Sequence, residues 1–155
     1  MSYTERFTEV HKLLISENDA ALELGITDTP WVSLMNYHRV VAILHVIDMG
    51  AGATIDFSIR QATDTSGTGA KVISNTAGVT THALTQLTQA GGDVDSDCII
   101  ELRTAQLDVT NGFDCVSIRI TGAVDTCVVS YQLYGIVPRF PPVGVTEWTE
   151  VVAPA

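Results

Sequence analysis

Three stretches of the chain alternate cleanly between apolar and polar residues. In residues 53–60, Ile55, Phe57 and Ile59 share one face, with Asp56, Ser58 and Arg60 on the other. In residues 98–103, Cys98, Ile100 and Leu102 oppose Glu101 and Arg103. In residues 116–121, Val116, Ile118 and Ile120 oppose Ser117, Arg119 and Thr121. A period of two is the signature of a half-buried strand. Val129 and Tyr131 continue the pattern after Gly122-Ala123-Val124-Asp125. A tight turn at those four residues would set Ile120 against Cys127, Ile118 against Val129 and Val116 against Tyr131, which predicts a hairpin in that register.

Residues 40–47, VVAILHVI, do not alternate. A strand apolar on both sides needs cover on both. Its outer side is therefore expected to meet a helix, an arm or another subunit. Weaker strands fit at 31–36, 70–74 and 80–87. Glycine-rich turns around residues 49–52, 65–69, 75–78 and 90–93 separate them. Before this zone, Phe7, Val10, Leu13 and Leu14 recur at helical spacing, with Thr4 as a candidate cap. After it, Pro138, Pro141 and Pro142 favour extension.

These patterns predict an all-β protein: an antiparallel β-sandwich, jelly-roll-like, of about eight strands. The expected organisation is an N-terminal helical segment over 1–30, a β-sandwich over 31–137 and an extended C-terminal arm over 138–155.

Composition narrows the function classes. The chain has 155 residues, enough for a core without metal or disulfide staples. Eight Lys+Arg against 18 Asp+Glu give a net charge of −10, and only Lys12 and Lys71 are lysines. Nucleic-acid binding and adsorption to an anionic membrane both draw on cationic contacts, so neither is expected. No apolar run is long enough for a transmembrane helix. The segment MSYTERFTEV lacks the basic and apolar regions of a secretion signal, so assembly in a cytoplasm is expected. Charged residues are 17% against 46% hydrophobic, which points to apolar surface covered by other subunits.

Candidate chemistry is sparse. Cys98, Cys115 and Cys127 contain no CxxC pair and read as small buried hydrophobes. His11, His38, His45 and His82 have no HxH or HExxH spacing, so no zinc site is expected. His45, within the apolar strand, reads as a hydrogen-bonded core histidine. Asp93, Asp95 and Asp97 form a DxDxD run, but Cys98 and Thr104 stand where a calcium loop needs Gly and Glu. The ordinary reading is a solvated acidic turn; a weak calcium site outside the EF-hand pattern is the alternative. Residues 66–71, SGTGAK, depart from the phosphate-loop pattern and read as a flexible hairpin loop. No catalytic residues, cofactor or resident metal are expected.

The tail has its own pattern. Val143 and Val145 alternate with Gly144 and Thr146, and Trp148 follows. An extended apolar segment can add to a neighbouring subunit, so Val143, Val145 and Trp148 are the interface candidates.

Three stretches carry a resemblance. They are Gln61–Lys71 (QATDTSGTGAK), Leu84–Asp93 (LTQLTQAGGD) and Glu101–Val109 (ELRTAQLDV) with Gly112-Phe113. With the later Pro138-Arg139-Phe140 element, they resemble, in this order, small virion structural proteins of tailed bacteriophages and prophages, of the head-decoration or head-spike-base kind. The resemblance spans roughly residues 36–141. It implies a non-enzymatic component of the particle, most simply a capsid decoration, cement or head-spike-base protein outside the head. A structural virion protein is in turn expected to be a symmetric homo-oligomer, with the major capsid protein or other virion proteins as partners, located in the virion and assembled in the bacterial host cytoplasm. The acidic charge fits a surface facing away from packaged DNA. A neck or tail component is the alternative within the same class. A carbohydrate- or ligand-binding sandwich is the alternative outside it, though only 6% of residues are aromatic.

Overall fold

Residues 7–22, 24–73 and 82–140 are described by a computed structural model. One helical turn, α1 (Phe7–Val10), leads into β1 (His11–Leu22), β2 (Gly25–Asp28), β3 (Val32–Ser33), β4 (Tyr37–Met49) and β5 (Thr54–Ala62). Then come β6 (Lys71–Val72), β7 (Leu87–Thr88), β8 (Ser96–Arg103), β9 (Cys115–Ala123) and β10 (Cys127–Pro138). Short 3-10 turns connect β7 to β8 and β8 to β9.

The long strands form two antiparallel sheets. One has the order β1-β10-β4-β8; the other has the order β2-β9-β5-β6, with β3 on β9 and β7 on β5. Long strands adjacent in the chain fall in opposite sheets: β1 and β2, β4 and β5, β8 and β9, β9 and β10. Each sheet is thus woven from distant parts of the sequence, the double Greek-key weave of a jelly roll. The fold is all-β, as the alternation predicts.

The core lies between the sheets. Ile55, Phe57 and Ile59 of β5 and Val116, Ile118 and Ile120 of β9 face Val40, Ala42, Leu44 and Val46 of β4 and Val129, Tyr131 and Leu133 of β10. Ile100 and Leu102 of β8 close one side. The Phe57 ring meets Tyr131 edge-on at 6.1 Å between centroids, a favoured aromatic geometry.

Three expectations are corrected. The N-terminal segment is not helical beyond Val10: residues 11–22 are a strand, so the sandwich takes in most of the stretch assigned to a helical arm. Without β1, the β10 backbone would present an unpaired edge. Pairing from His11↔Ile136 to Leu22↔Cys127 satisfies it. A bulge at Leu14 breaks strict alternation there, which is why the apolar residues mimic a helical period.

The second correction concerns β9 and β10, which do not form a hairpin. Residues 124–126 cross from one sheet to the other, so Ile118 and Val129 enter the core from opposite sheets instead of pairing along a ladder. Thirdly, the weaker strands shrink to Val32–Ser33, Lys71–Val72 and Leu87–Thr88. Parts of the second and third predicted stretches, residue 74 and residues 80–81, lie outside the described residues.

Candidate interaction surface

The outer face of the β1-β10-β4-β8 sheet carries the unusual chemistry. Register places Tyr134, Val41 and Glu101 in one row across β10, β4 and β8. The next row holds Gln132, Ile43 and Ile99, and the next Ser130, His45 and Asp97. Val41, Ile43 and Tyr134 are half-buried, whereas Ile99 is 56% and Ile47 46% exposed. The double-sided apolarity of residues 40–47 thus has two fates. Val40, Ala42, Leu44 and Val46 enter the core, and the odd-numbered positions line an outward stripe. Phe7 covers one end, stacking on His11 and meeting Tyr134 edge-on.

His45 lies on this outward stripe and not in the core, contrary to expectation. Its Nδ1 is 2.8 Å from Asp97 Oδ1. β4 and β8 bring the two side by side because their register sets residue 45 against residue 97.

One row beyond Val41 and Glu101, Arg39 of β4 stands directly opposite Arg103 of β8. Both are exposed. Among the described residues, no ion pair joins either guanidinium to a carboxylate. Like charges directly opposite on a sheet destabilise it. Three other cations are engaged: Arg60 and Arg119 meet Asp28, and Lys71 meets Asp108. Lys71 also lies 3.9 Å over the Phe113 ring. That engagement ties down the loop of residues 66–71, as does Asp64 Oδ1, which accepts from the Ser66 and Thr68 amides.

The three acidic turn residues do not converge. Asp93 Oδ2 accepts from the Thr88 amide at 2.8 Å, inside the turn. Asp95 sits in a left-handed backbone conformation, φ 55°. Asp97 points to His45 on the outer face. Alternation along a turn entering a strand sends each carboxylate a different way. No group of three or more His, Cys, Asp or Glu side chains suited to a metal occurs among the described residues.

The cysteines are free, with Cys115 and Cys127 buried and Cys98 half-buried. Burial pushes all three thiols up, Cys115 to about 12 with help from the adjacent Asp114. The interface candidates Val143, Val145 and Trp148 lie outside the described residues. Sequence reasoning missed the Arg39–Arg103 pair. Arg103 is visible as an outward strand residue and Arg39 lies just before the predicted strand 40–47, but nothing local signals that two residues so far apart will face each other.

No helix among the described residues is long and apolar enough to cross a membrane. No protein-family model matches the chain, and no curated protein matches it. A solved structure of tobacco necrosis virus aligns over 84% of this chain and 96% of its own, at 10% identity and a TM-score of 0.33. At that score it adds nothing to the topology already described.

Proposed function

We propose that the protein is a non-enzymatic structural component of a tailed-phage virion, a decoration, cement or head-spike-base protein on the outside of the head. In this reading it works as a homo-oligomer bound to capsid or other virion proteins. The observation that carries the reading is the outward stripe of Val41, Ile43, Ile47 and Ile99 on a sheet that a lone sandwich would turn to water. A surface of this kind fits protein contact, and the net charge of −10 fits a position away from packaged DNA. The resemblance of residues 61–71, 84–93 and 101–113 to virion proteins supports the same class.

Co-sedimentation with empty shells, together with light scattering, tests it. The protein should assemble in solution and occupy shells. Deleting residues 142–155 should weaken assembly or attachment while the sandwich stays folded, and Trp148→Ala should do so in part. A strict monomer that leaves shells bare would refute the reading.

A further inference from the structure

We propose that the Arg39–Arg103 pair and the apolar stripe beside it form the docking site for residues 141–155 of a second copy of this chain. The inference rests on the homo-oligomer reading above and names the surface it uses. Two exposed arginines stand in direct register, with the single carboxylate of Glu101 one row away and not in ion-pair contact with either, so the two guanidinium charges leave room for an acid from elsewhere. The chain is rich in acids, with 18 Asp+Glu against 8 Lys+Arg. A second copy is therefore a natural donor.

The segment 141–155 matches the surface in order and in spacing. It holds Glu147 and Glu150 and no lysine or arginine. In an extended chain, alternate residues share a side at a repeat of roughly 6.6–6.8 Å. Val143, Val145 and Glu147 then present two apolar groups followed by a carboxylate. On the sheet, Ile43, Val41 and Arg39 present two apolar groups followed by a guanidinium at the same repeat, with Arg103 alongside to make a two-pronged carboxylate clamp.

The contact is assigned to a second copy because of where the segment departs. β10 ends at Pro138, paired with Tyr37, and the Arg139 amide donates to Asn36 O at the same end of the sheet. Pro141-Pro142 follows in the sequence, and consecutive prolines favour continued extension over reversal. A chain that kept the direction of β10 past this point would run off the end of the sheet and not back over its face, which favours a second copy as the acceptor.

A charge-swap experiment on the full-length chain tests this. One variant carries Arg39→Glu and Arg103→Glu; the other carries Glu147→Arg, which leaves the sandwich untouched and serves as the check should the first fail to fold. Light scattering over a concentration series reads assembly, and circular dichroism reads folding. Each variant alone should associate at least about tenfold more weakly than the parent, and an equimolar mixture should recover to within about threefold, because mixing restores opposite charges only between copies. Unchanged assembly in both variants, or loss without recovery on mixing, overturns the proposal and leaves the homo-oligomer reading standing. Recovery only when all three changes share one chain places the contact within a single copy and also overturns it. A parent that is monomeric at every concentration removes the homo-oligomer reading itself, and the proposal with it.

Discussion

Asp28 and Arg119 face each other across β2 and β9 and are joined by two parallel hydrogen bonds. Arg119 Nε donates to Asp28 Oδ1 at 2.7 Å and Nη2 to Oδ2 at 2.6 Å. Arg60 from β5 approaches the same carboxylate at 3.9 Å. The hydrogen bond from Arg119 holds the Asp28 carboxyl below its ordinary range, against a smaller opposing effect of burial. A carboxyl lowered by folding contributes stability above its unfolded pKa, about 4, and loses it as pH falls through the folded value. Asp28→Asn should cost about 1 kcal/mol at pH 7, the scale of a well-formed surface pair. Parent and variant should converge in urea midpoint as pH falls through the lowered folded pKa of Asp28. A constant gap between the two curves would show that the pair is not what Asp28 contributes.

Thr29, next along the chain, continues the seam in a different way. Its amide donates to Ile118 O, its Oγ1 accepts from the Ile118 amide at 3.0 Å, and Ser117 Oγ donates to its carbonyl at 2.8 Å. Thr29 and Ser117 are both buried. Thr29→Val removes an acceptor and leaves the Ile118 N–H without a partner, for an expected loss of about 1–3 kcal/mol. Thr29→Ser keeps the oxygen and should lose much less. Equal losses in chemical denaturation would mean the methyl matters, not the oxygen.

The two sides of the β1-β10-β4-β8 sheet should respond differently to truncation. Phe57→Ala empties a fully buried position facing that sheet and should cost about 3–5 kcal/mol. Ile99→Ala on the outward stripe should change stability by no more than about 0.5 kcal/mol at low protein concentration. Its effect should appear in self-association instead. A large stability loss for the monomer would mean the stripe is covered within one chain.

Cys115 and Cys127 should resist alkylation in the native protein near pH 8 and react fully in denaturant, as read by intact mass. Both are buried, and their thiols are pushed up, Cys115 to about 12. The reactive thiolate is thus scarce. A thiol raised by folding gives stability that is complete below its unfolded pKa, about 8.5, and fades as pH climbs toward the folded value. Rapid native labelling of Cys115 would contradict its placement.

Dialysis against a chelator should leave the melting temperature unchanged. Asp93 is committed to the Thr88 amide and Asp97 to His45, so neither is held ready for a cation. A drop on chelation that calcium reverses would restore the site of Asp93, Asp95 and Asp97.

The strands and their inward faces were legible in the sequence where alternation is clean. Ile55, Phe57 and Ile59, then Ile100 and Leu102, then Ile118 and Ile120, are buried as their period of two requires. Facing is a local property: once a segment is extended, alternate side chains must part to opposite sides. The apolar outer side of residues 40–47 was legible for the same reason, and with it the expectation of a contact surface.

Partnership was not local, and only the tertiary structure decided it. The sequence around Gly122–Asp125 satisfies a hairpin and a crossing between sheets equally, because Ile118 and Val129 point inward in both. The helix-like spacing of Phe7, Val10, Leu13 and Leu14 runs into the segment His11–Leu22, yet that segment is a strand because β10 offers an edge to be paired. Arg39 meets Arg103, and His45 meets Asp97, only because β4 and β8 lie side by side in one register. Hydrophobic periodicity specifies which side of a strand is buried, whereas backbone hydrogen bonding is the same for every residue type. The choice of neighbour is therefore made by the packing of the whole sandwich.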